Sequence, residues 1–396
     1  MRACILIIFC SLLAIGAGIL ILWWRQDQLQ KNLIGGLTGL NYREILSRPR
    51  TDRDYTVFGF LPYWTMNTAE VPSAVTDVAY FSVIFDGQGR LVEQLEGGSE
   101  AGYARLRSET FTNWAAQQPA NRKIHITVVG NGNDEIAELV SSPVARQNFR
   151  QNITQLLASY PFSGVQLDFE YSATATDDLR ANYVLLVKDL NQDVKKMDPN
   201  MKVSVAAFGS AASKQSFWDI AGLAPHIDYL IIMSYDYHVR SSQVAGPVAP
   251  LFGKETGRWQ DDITSNLRDF MQQIPPEKIL LGIPFYGYEW QISGEEPGSP
   301  TFPSSGATAT YQRVQALLAE RGDEIEEGWD SAALSPYIFY QQDGENRLIY
   351  YDNPRSLSYK LDLVEQLNFG GVAIWALGYE GEQSELWQVI EAKFDL

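Results

Sequence analysis

Two acidic residues near the end of one predicted strand could do acid–base chemistry. Residues 162–171 read FSGVQLDFEY, and strand side chains alternate, so Gln166, Asp168 and Glu170 share one face. Two carboxylates in one pleat repel each other when both are ionised, which raises one pKa and keeps that group protonated near neutral pH. A protonated carboxyl at neutral pH is what a general acid requires. The other interpretation is a solvated or salt-bridged structural pair, but no Lys or Arg lies between Gln151 and Arg180.

Aromatic and acidic side chains also stand at the ends of other predicted strands. One aromatic residue alone is more often part of a core than of a binding site. Several at one rim beside a carboxylate pair suit sugar rings, which have apolar faces and hydroxyl edges. The residues in this group are Tyr235, Asp236, Tyr286 and Trp375, with Phe60 and Trp64 after the first strand. Met233, at the end of the sixth strand, is a further candidate for contact with the sugar.

The elements that must position these residues are strands interleaved with amphipathic helical segments, which predicts parallel pairing through crossovers. Eight such strands fit an α/β fold of the (β/α)8 TIM-barrel type. A doubly wound open sheet is the alternative, but no G-x-G-x-x-G or P-loop signature follows any strand. A small α+β insertion is predicted at about 290–365, between the seventh and eighth strands. The predicted strands are 57–60, 78–83, 124–129, 165–169, 203–208, 229–233, 279–285 and 372–375.

The amino-terminal segment predicts a membrane anchor. Residues 3–24 carry no charge and are long enough for a helix to cross a bilayer, and Trp23 and Trp24 precede Arg25. A cleaved signal peptide is the alternative, although the apolar run exceeds the usual length. We therefore divide the chain into an anchor or signal segment (1–25), a juxtamembrane linker (26–53) and a catalytic domain (54–396). The catalytic domain is expected in the periplasm or outside the cell, and secreted if the segment is cleaved.

The charge of the 396-residue chain excludes some partners. The formal net charge is −17, and residues 54–396 hold 24 Lys+Arg against 45 Asp+Glu, which argues against nucleic acid. Both cysteines, Cys4 and Cys10, precede the catalytic domain, and only three histidines are present. No metal and no cofactor are therefore expected. We expect a monomer.

Four motifs in the same order resemble glycoside hydrolase family 18, the chitinase-like barrels. Residues 163–170 look like that family's D-G-x-D-x-D-x-E strand, and residues 233–236, MSYD, are similar to its M-x-Y-D motif. Trp375 stands at its eighth-strand tryptophan, and residues 351–360 look like the segment leading into its last helix. Residues 57–64 resemble a bacterial branch that includes spore-cortex and peptidoglycan-directed members.

The resemblance implies retaining, substrate-assisted hydrolysis of a polysaccharide that contains N-acetylglucosamine. Glu170 is then the general acid and base, and the 2-acetamido oxygen of the substrate attacks the anomeric carbon. Asp168 orients the acetamide, Tyr235 hydrogen-bonds its oxygen, Asp236 contacts the same sugar, and Trp375 forms the floor of that subsite.

Two positions depart from the family pattern. Ser163 replaces its first acid, and Gln166 replaces its middle acid, so a proton cannot be shuttled between two aspartates there. Residues 129–132, VGNG, also differ from the family's S-x-G-G. The alternative function is a catalytically silent sugar-binding protein on the same barrel. The sequence does not decide between chitin and peptidoglycan as the substrate, although the lack of a separate binding module argues against processive degradation of crystalline chitin.

Overall fold

The computed structural model describes residues 54–130, 132–212 and 216–396. The predicted anchor and linker lie outside these residues, as does Asn131. Within the described ranges, no helix has the length and apolar character needed to cross a membrane.

Eight parallel strands close into a barrel, which confirms the predicted (β/α)8 architecture. Strands that follow one another along the chain are neighbours around the barrel, and the last of the eight pairs with the first. Each overlaps a predicted strand, and the ends differ by three residues or fewer. These strands are β1 (Thr56–Pro62), β2 (Asp77–Phe85), β5 (Lys123–Gly130), β6 (Gly164–Asp168), β7 (Lys202–Phe208), β8 (Tyr229–Met233), β9 (Ile279–Pro284) and β15 (Gly371–Trp375).

Helices connect most of the barrel strands. The long helix Asp177–Met197 shows why such segments are helical. Thr176 caps its amino end by accepting a hydrogen bond from Leu179 N. Acidic residues lie in its first turn and lysines in its last turn, where they interact favourably with the helix dipole. The helices are α1 (Ala101–Leu106), α2 (Glu109–Ala116), α3 (Asn133–Ser141), α4 (Pro143–Ser159), α5 (Asp177–Met197), α6 (Ile220–Leu223), α7 (Ile263–Phe270), α8 (Tyr311–Arg321), α9 (Pro354–Gln366) and α10 (Glu385–Phe394). Short 3-10 turns cover Ala224–His226, Pro276–Lys278 and Gly322–Glu324.

The alternation in β6 places its two faces as the sequence predicts. The Phe169 ring packs against Phe149 of α4 and Tyr183 of α5, so the apolar face contacts the outer helices. The opposite face begins with Gly164, where an added Cβ would lie 2.4 Å from the Lys202 carbonyl oxygen and 2.7 Å from the His125 ring. Glycine is therefore required for close packing at the amino end of this strand.

A five-stranded antiparallel sheet and α8 lie between β9 and β15, where the sequence predicts an insertion. The sheet begins directly after β9, because Phe285 alone separates β9 from β10. Its strands are β10 (Tyr286–Gln291), β11 (Ala307–Thr310), β12 (Glu326–Asp330), β13 (Ser335–Gln342) and β14 (Glu345–Tyr350). A separate two-residue pair, β3 (Gln94–Leu95) and β4 (Gly98–Ser99), follows β2.

Phe285 joins three elements at this junction. Its backbone N–H donates to the Trp375 carbonyl oxygen at 2.7 Å, and its carbonyl oxygen accepts from Tyr311 N at 2.9 Å. The Phe285 ring lies 5.0 Å from the Trp387 ring of α10, centroid to centroid. Phe285 thereby joins the start of the insertion to the barrel strand β15, to α8 within the insertion and to α10.

Candidate active site

A cavity of about 590 Å³ opens where the strands β6, β8 and β15 end. Active sites of barrel enzymes are built at this end of the strands. Eight of the residues that the sequence singles out line it: Asp168, Glu170, Tyr235, Asp236, Met233, Tyr286, Trp375 and Phe60. The topology thus brings the carboxylate strand, the M-x-Y-D segment and the eighth-strand tryptophan to one place.

The two carboxyls of the strand have different exposure. Asp168 is buried, with 6% of its surface exposed, whereas Glu170 is open to the cavity. Burial raises the pKa of Asp168 well above its usual range, and the charge of Glu170 adds to this. The cavity wall also limits the solvation of Glu170, and this burial, followed by the charge of Asp236, raises the pKa of Glu170. The pair therefore retains a proton at higher pH than free carboxyls do.

Asp236 is held beside this pair by two tyrosines. The Tyr286 hydroxyl donates to Asp236 Oδ1 at 2.5 Å, and the Tyr288 hydroxyl donates to the same oxygen at 3.0 Å. Burial raises the pKa of Asp236, and the two hydrogen bonds oppose that rise. The backbone of Asp236 is left-handed, with φ of 62°. This conformation is uncommon for a residue other than glycine and turns the chain sharply after β8.

Aromatic rings form one wall of the cavity. The Trp375 ring is 4.6 Å from Phe81 and 5.6 Å from Phe60, centroid to centroid. Trp64 lies at 6.5 Å from Trp375 and is 49% exposed, and it does not line the cavity. An aromatic surface of this kind can pack against the apolar face of a sugar ring.

Gln166 lies below the cavity, fully buried. Its Nε2 donates to the Leu167 carbonyl oxygen at 3.0 Å, and its Cα partners on the adjacent strands are Thr127 and Ser204. Gln166 is absent from the cavity lining, so it reaches substrate only through other groups. Gln166 Oε1 and Asp168 Oδ1 are buried and accept no hydrogen bond from the described protein.

Sequence reasoning missed several cavity residues. Phe81 lies on the same face of β2 as Ala79, so strand alternation could have indicated it. Asp261 and Asn266 come from the segment around the start of α7, where polar residues are ordinary. No local pattern distinguishes them, because a connection that is long in sequence brings them to the cavity.

Two other acids lie at the opposite, amino end of the barrel. Asp228 Oδ1 and Oδ2 each accept from Lys195 Nζ at 3.0 Å, Oδ1 accepts from Lys202 Nζ at 3.2 Å, and Oδ2 accepts from Val203 N at 2.9 Å. Burial would raise the pKa of Asp228, but these hydrogen bonds and charges lower it. Asp77 and His125 form a fully buried pair at 2.8 Å. Burial by itself would raise the pKa of Asp77, but the hydrogen bond and charge of His125, together with Lys123 and Thr76, lower it.

No group of three or more His, Cys, Asp or Glu side chains that could hold a metal ion is found within the described ranges.

A buried carboxyl and an open one at the carboxyl end of a closed parallel barrel, beside an aromatic wall, define a site of the glycoside-hydrolase class. Residues 55–380 match the sequence model of glycosyl hydrolases family 18, and the chain belongs to this family.

Curated relatives and a solved structure are similar to this chain. A Caenorhabditis elegans protein named "Probable endochitinase" is 28% identical over 61% of this chain and 41% of its own length. "Uncharacterized glycosylase YvbX" of Bacillus subtilis is 25% identical over 66% of this chain and 73% of its own length. The chain thus spans less than half of the nematode relative. A family 18 chitinase of Cycas revoluta in complex with (GlcNAc)3 superposes with a TM-score of 0.72 at 21% identity, over 86% of this chain and 99% of that one, which shows a shared fold.

Proposed function

We propose that this chain hydrolyses β-1,4 linkages in polysaccharide that contains N-acetylglucosamine, with retention of configuration and with assistance from the substrate. The observation that carries the proposal is the pair Asp168 and Glu170, whose pKa values are both raised in a cavity where none of the described lining residues is Lys or Arg. A carboxyl that keeps its proton near neutral pH can protonate a leaving group.

Glu170 takes the role of general acid because it is the member of the pair that is open to the cavity. It gives its proton to the glycosidic oxygen as the bond from that oxygen to the anomeric carbon breaks. The 2-acetamido oxygen of the same sugar forms the new bond to the anomeric carbon, so no second carboxylate attacks. Water then opens the resulting oxazolinium ion, and Glu170, now ionised, takes the proton from that water.

Asp168 and Tyr235 act on the acetamido group. The buried carboxyl of Asp168 holds the acetamide N–H and offsets the positive charge that develops as the ring closes, which is electrostatic stabilisation of the transition state. The Tyr235 hydroxyl donates to the acetamide oxygen. Burial, followed by the charges of Asp168 and Asp236, raises the pKa of Tyr235, so this hydroxyl keeps its proton.

The substrate class follows from this chemistry, since the attacking oxygen belongs to an N-acetylated aminosugar. Trp375 supports the ring of that sugar, and Asp236 contacts its hydroxyls. The chitinase relatives and the (GlcNAc)3 that the Cycas protein binds support the same class. Chitin-type oligosaccharides are therefore the first substrates to test.

The test compares the full-length chain with its Glu170→Gln variant on chito-oligosaccharides. We expect the wild type to release products that first appear as the β-anomer, as followed by NMR, and the variant to lose nearly all turnover. Equal rates in the two proteins would contradict the role of Glu170. Sugar binding without turnover in the wild type would instead support the sugar-binding alternative.

We also propose that the chain is tethered to a membrane through residues 3–24, with the catalytic domain in the periplasm or outside the cell. The uncharged length of that segment supports this. After cell fractionation, the chain should sediment with membranes, resist extraction by high salt and be released by detergent. Recovery of a shortened chain in the soluble fraction would instead support cleavage of a signal peptide.

A further inference from the structure

A second groove adjoins the catalytic cavity. It has a volume of about 730 Å³ and lies between the segment that follows β8 and the loop of the insertion that precedes β11. Val239 lines both the groove and the cavity, and Tyr288, which lines the groove, donates a hydrogen bond to Asp236 in the cavity. A glycan that occupies the cavity can therefore continue into this groove.

A turn formed by residues 239–242 presents Arg240 to the groove. Ser242 N donates to the Val239 carbonyl oxygen and Val239 N to Ser242 Oγ, both at 2.9 Å. Trp290 Nε1 and Thr301 Oγ1 of the insertion donate to the Val239 and Ser242 carbonyl oxygens, at 3.2 and 2.6 Å. The insertion therefore fixes the backbone that carries Arg240.

Gly306 completes this packing from the opposite side of the groove. A Cβ added at Gly306 would lie 2.0 Å from the Arg240 carbonyl oxygen. Only glycine allows the two backbones to approach this closely.

The Arg240 side chain is exposed, and it forms no ion pair with any acid in the described part of the chain. Among the described residues that line the groove there is no Asp or Glu. The adjoining cavity has the opposite charge character, since four of its described lining residues are acidic and none of them is Lys or Arg. A free arginine on a fixed backbone, within a domain that has a large excess of acid, favours an anionic group of the ligand at this place.

We propose that the groove at Arg240 is a subsite for a carboxylate carried by the glycan, so that the preferred substrate is a cell-wall type of glycan in which alternate N-acetylated sugars bear a lactyl ether. This inference rests on the proposed function, because it concerns the same glycan chain. Unsubstituted chitin has no carboxylate that could use Arg240. The guanidinium binds the lactyl carboxylate through charge-assisted hydrogen bonds, while the acids of the cavity act on the neighbouring glycosidic bond.

The test uses two peptide-free tetrasaccharides of alternating N-acetylglucosamine and N-acetylmuramic acid. One carries free lactyl carboxylates, and the other carries their neutral methyl esters. For the full-length wild type we expect kcat/KM for the acid to exceed that for the ester by about three- to tenfold, the effect of one charge-assisted contact that solvent partly screens. In Arg240→Gln the ratio of kcat/KM for the acid to kcat/KM for the ester should fall to about one. In Arg240→Lys this ratio should lie between those of the wild type and Arg240→Gln.

Arg90→Gln is the matched control, because it removes the same charge from an exposed arginine that pairs with Asp86 and does not line the groove. Its ratio should equal that of the wild type. A wild-type ratio of one, or a ratio in Arg240→Gln equal to that of the wild type, would overturn the proposal.

Binding of the same two tetrasaccharides to Glu170→Gln, measured by calorimetry, separates this proposal from the catalytic one. A preference for the acid that disappears when Arg240→Gln is added would support the subsite even if no substrate were hydrolysed. Equal affinity for acid and ester in Glu170→Gln would overturn the subsite and leave the proposed hydrolysis untouched.

Discussion

At the amino end of the barrel, Asp228 and Asp77 are held by lysines and a histidine. At the carboxyl end, Asp168, Glu170 and Asp236 face a cavity whose lining, as far as the structure describes it, has no Lys or Arg. The pKa is lowered for the first two acids and raised for the other three. Burial is the largest single influence on all five acids, and by itself it raises the pKa of an acid. The lower pKa values of Asp228 and Asp77 therefore come from their other neighbours.

The groups that surround a buried acid, and not its burial alone, therefore decide whether its pKa is lowered or raised in this protein. Cations and donated N–H groups at the amino end turn the carboxylates into structural anchors. At the carboxyl end, the described residues place no such cation in the cavity lining, and the carboxyls there keep their protons to higher pH, where they can serve in catalysis. If this comparison is right, the same type of substitution should have opposite consequences at the two ends.

The largest effect is expected for Glu170→Gln, which keeps the shape of the side chain and removes its proton transfer. We expect kcat on chito-oligosaccharides to fall by about 10²- to 10⁴-fold, the usual contribution of a general acid. Glu320→Gln, an exposed position on α8, is the matched control and should keep wild-type kcat. A loss of similar size in both variants would show that the assay does not report on the site.

Asp228→Asn should act on stability. It leaves Lys195 and Lys202 without their carboxylate, so we expect the free energy of unfolding to fall by about 2 kcal/mol near pH 7, measured by urea denaturation. Because the pKa of Asp228 is lowered in the folded state, its contribution is complete above the unfolded pKa of about 4 and is lost as pH falls towards the folded value. A difference from the wild type that stayed constant with falling pH would contradict this explanation.

Asp168→Asn should change the free energy of unfolding in the opposite direction. The folded protein must hold a buried carboxylate whose pKa is raised, so the wild type loses stability as pH rises from the unfolded pKa towards the folded one. Removing this group should stabilise the protein by about 1 kcal/mol at neutral pH, a usual size for stabilising changes at functional sites, while activity falls. Loss of stability on the scale of Asp228→Asn would break the comparison between the two ends.

The smallest effect is the shift in pH dependence expected for Asp236→Asn, which adds to the loss of kcat/KM that follows from its contact with the sugar. The charge of Asp236 helps to raise the pKa of Glu170, so its removal should shift the alkaline limb of the kcat/KM profile to lower pH. Asp261→Asn, which neutralises another acid of the same cavity, is the control and should leave that limb in place. A shift towards higher pH in Asp236→Asn would contradict the assigned cause.

Strand periodicity and strand-end chemistry predicted the barrel and eight of the residues that line the cavity. Asp168, Tyr235 and Trp375 meet because the carboxyl ends of parallel strands lie at one rim, so their positions in sequence were sufficient. Whether an inward-facing residue reaches the cavity or is buried beneath it was not predictable in the same way. Gln166 shares the face of Asp168 but lies below the cavity, because the inward face of a strand includes both core and site.

Other features required the folded chain. The left-handed backbone of Asp236 and its bonds to Tyr286 and Tyr288 depend on where the insertion packs. The environment of Arg240 likewise comes from contacts with Trp290 and Thr301, which lie about fifty residues or more along the chain. Local patterns carry no information on such long-range neighbours.

The junction at Phe285 bears on how the substrate preference of this barrel could be re-engineered. Phe285 alone separates the barrel strand from the sheet of the insertion. Its two backbone hydrogen bonds reach Trp375 of the barrel and Tyr311, the first residue of α8. Exchanging the whole insertion would disturb the cavity wall itself. Residues 302–304 line the groove and not the cavity, so they are the place where new glycan preferences could be introduced while the catalytic geometry is kept.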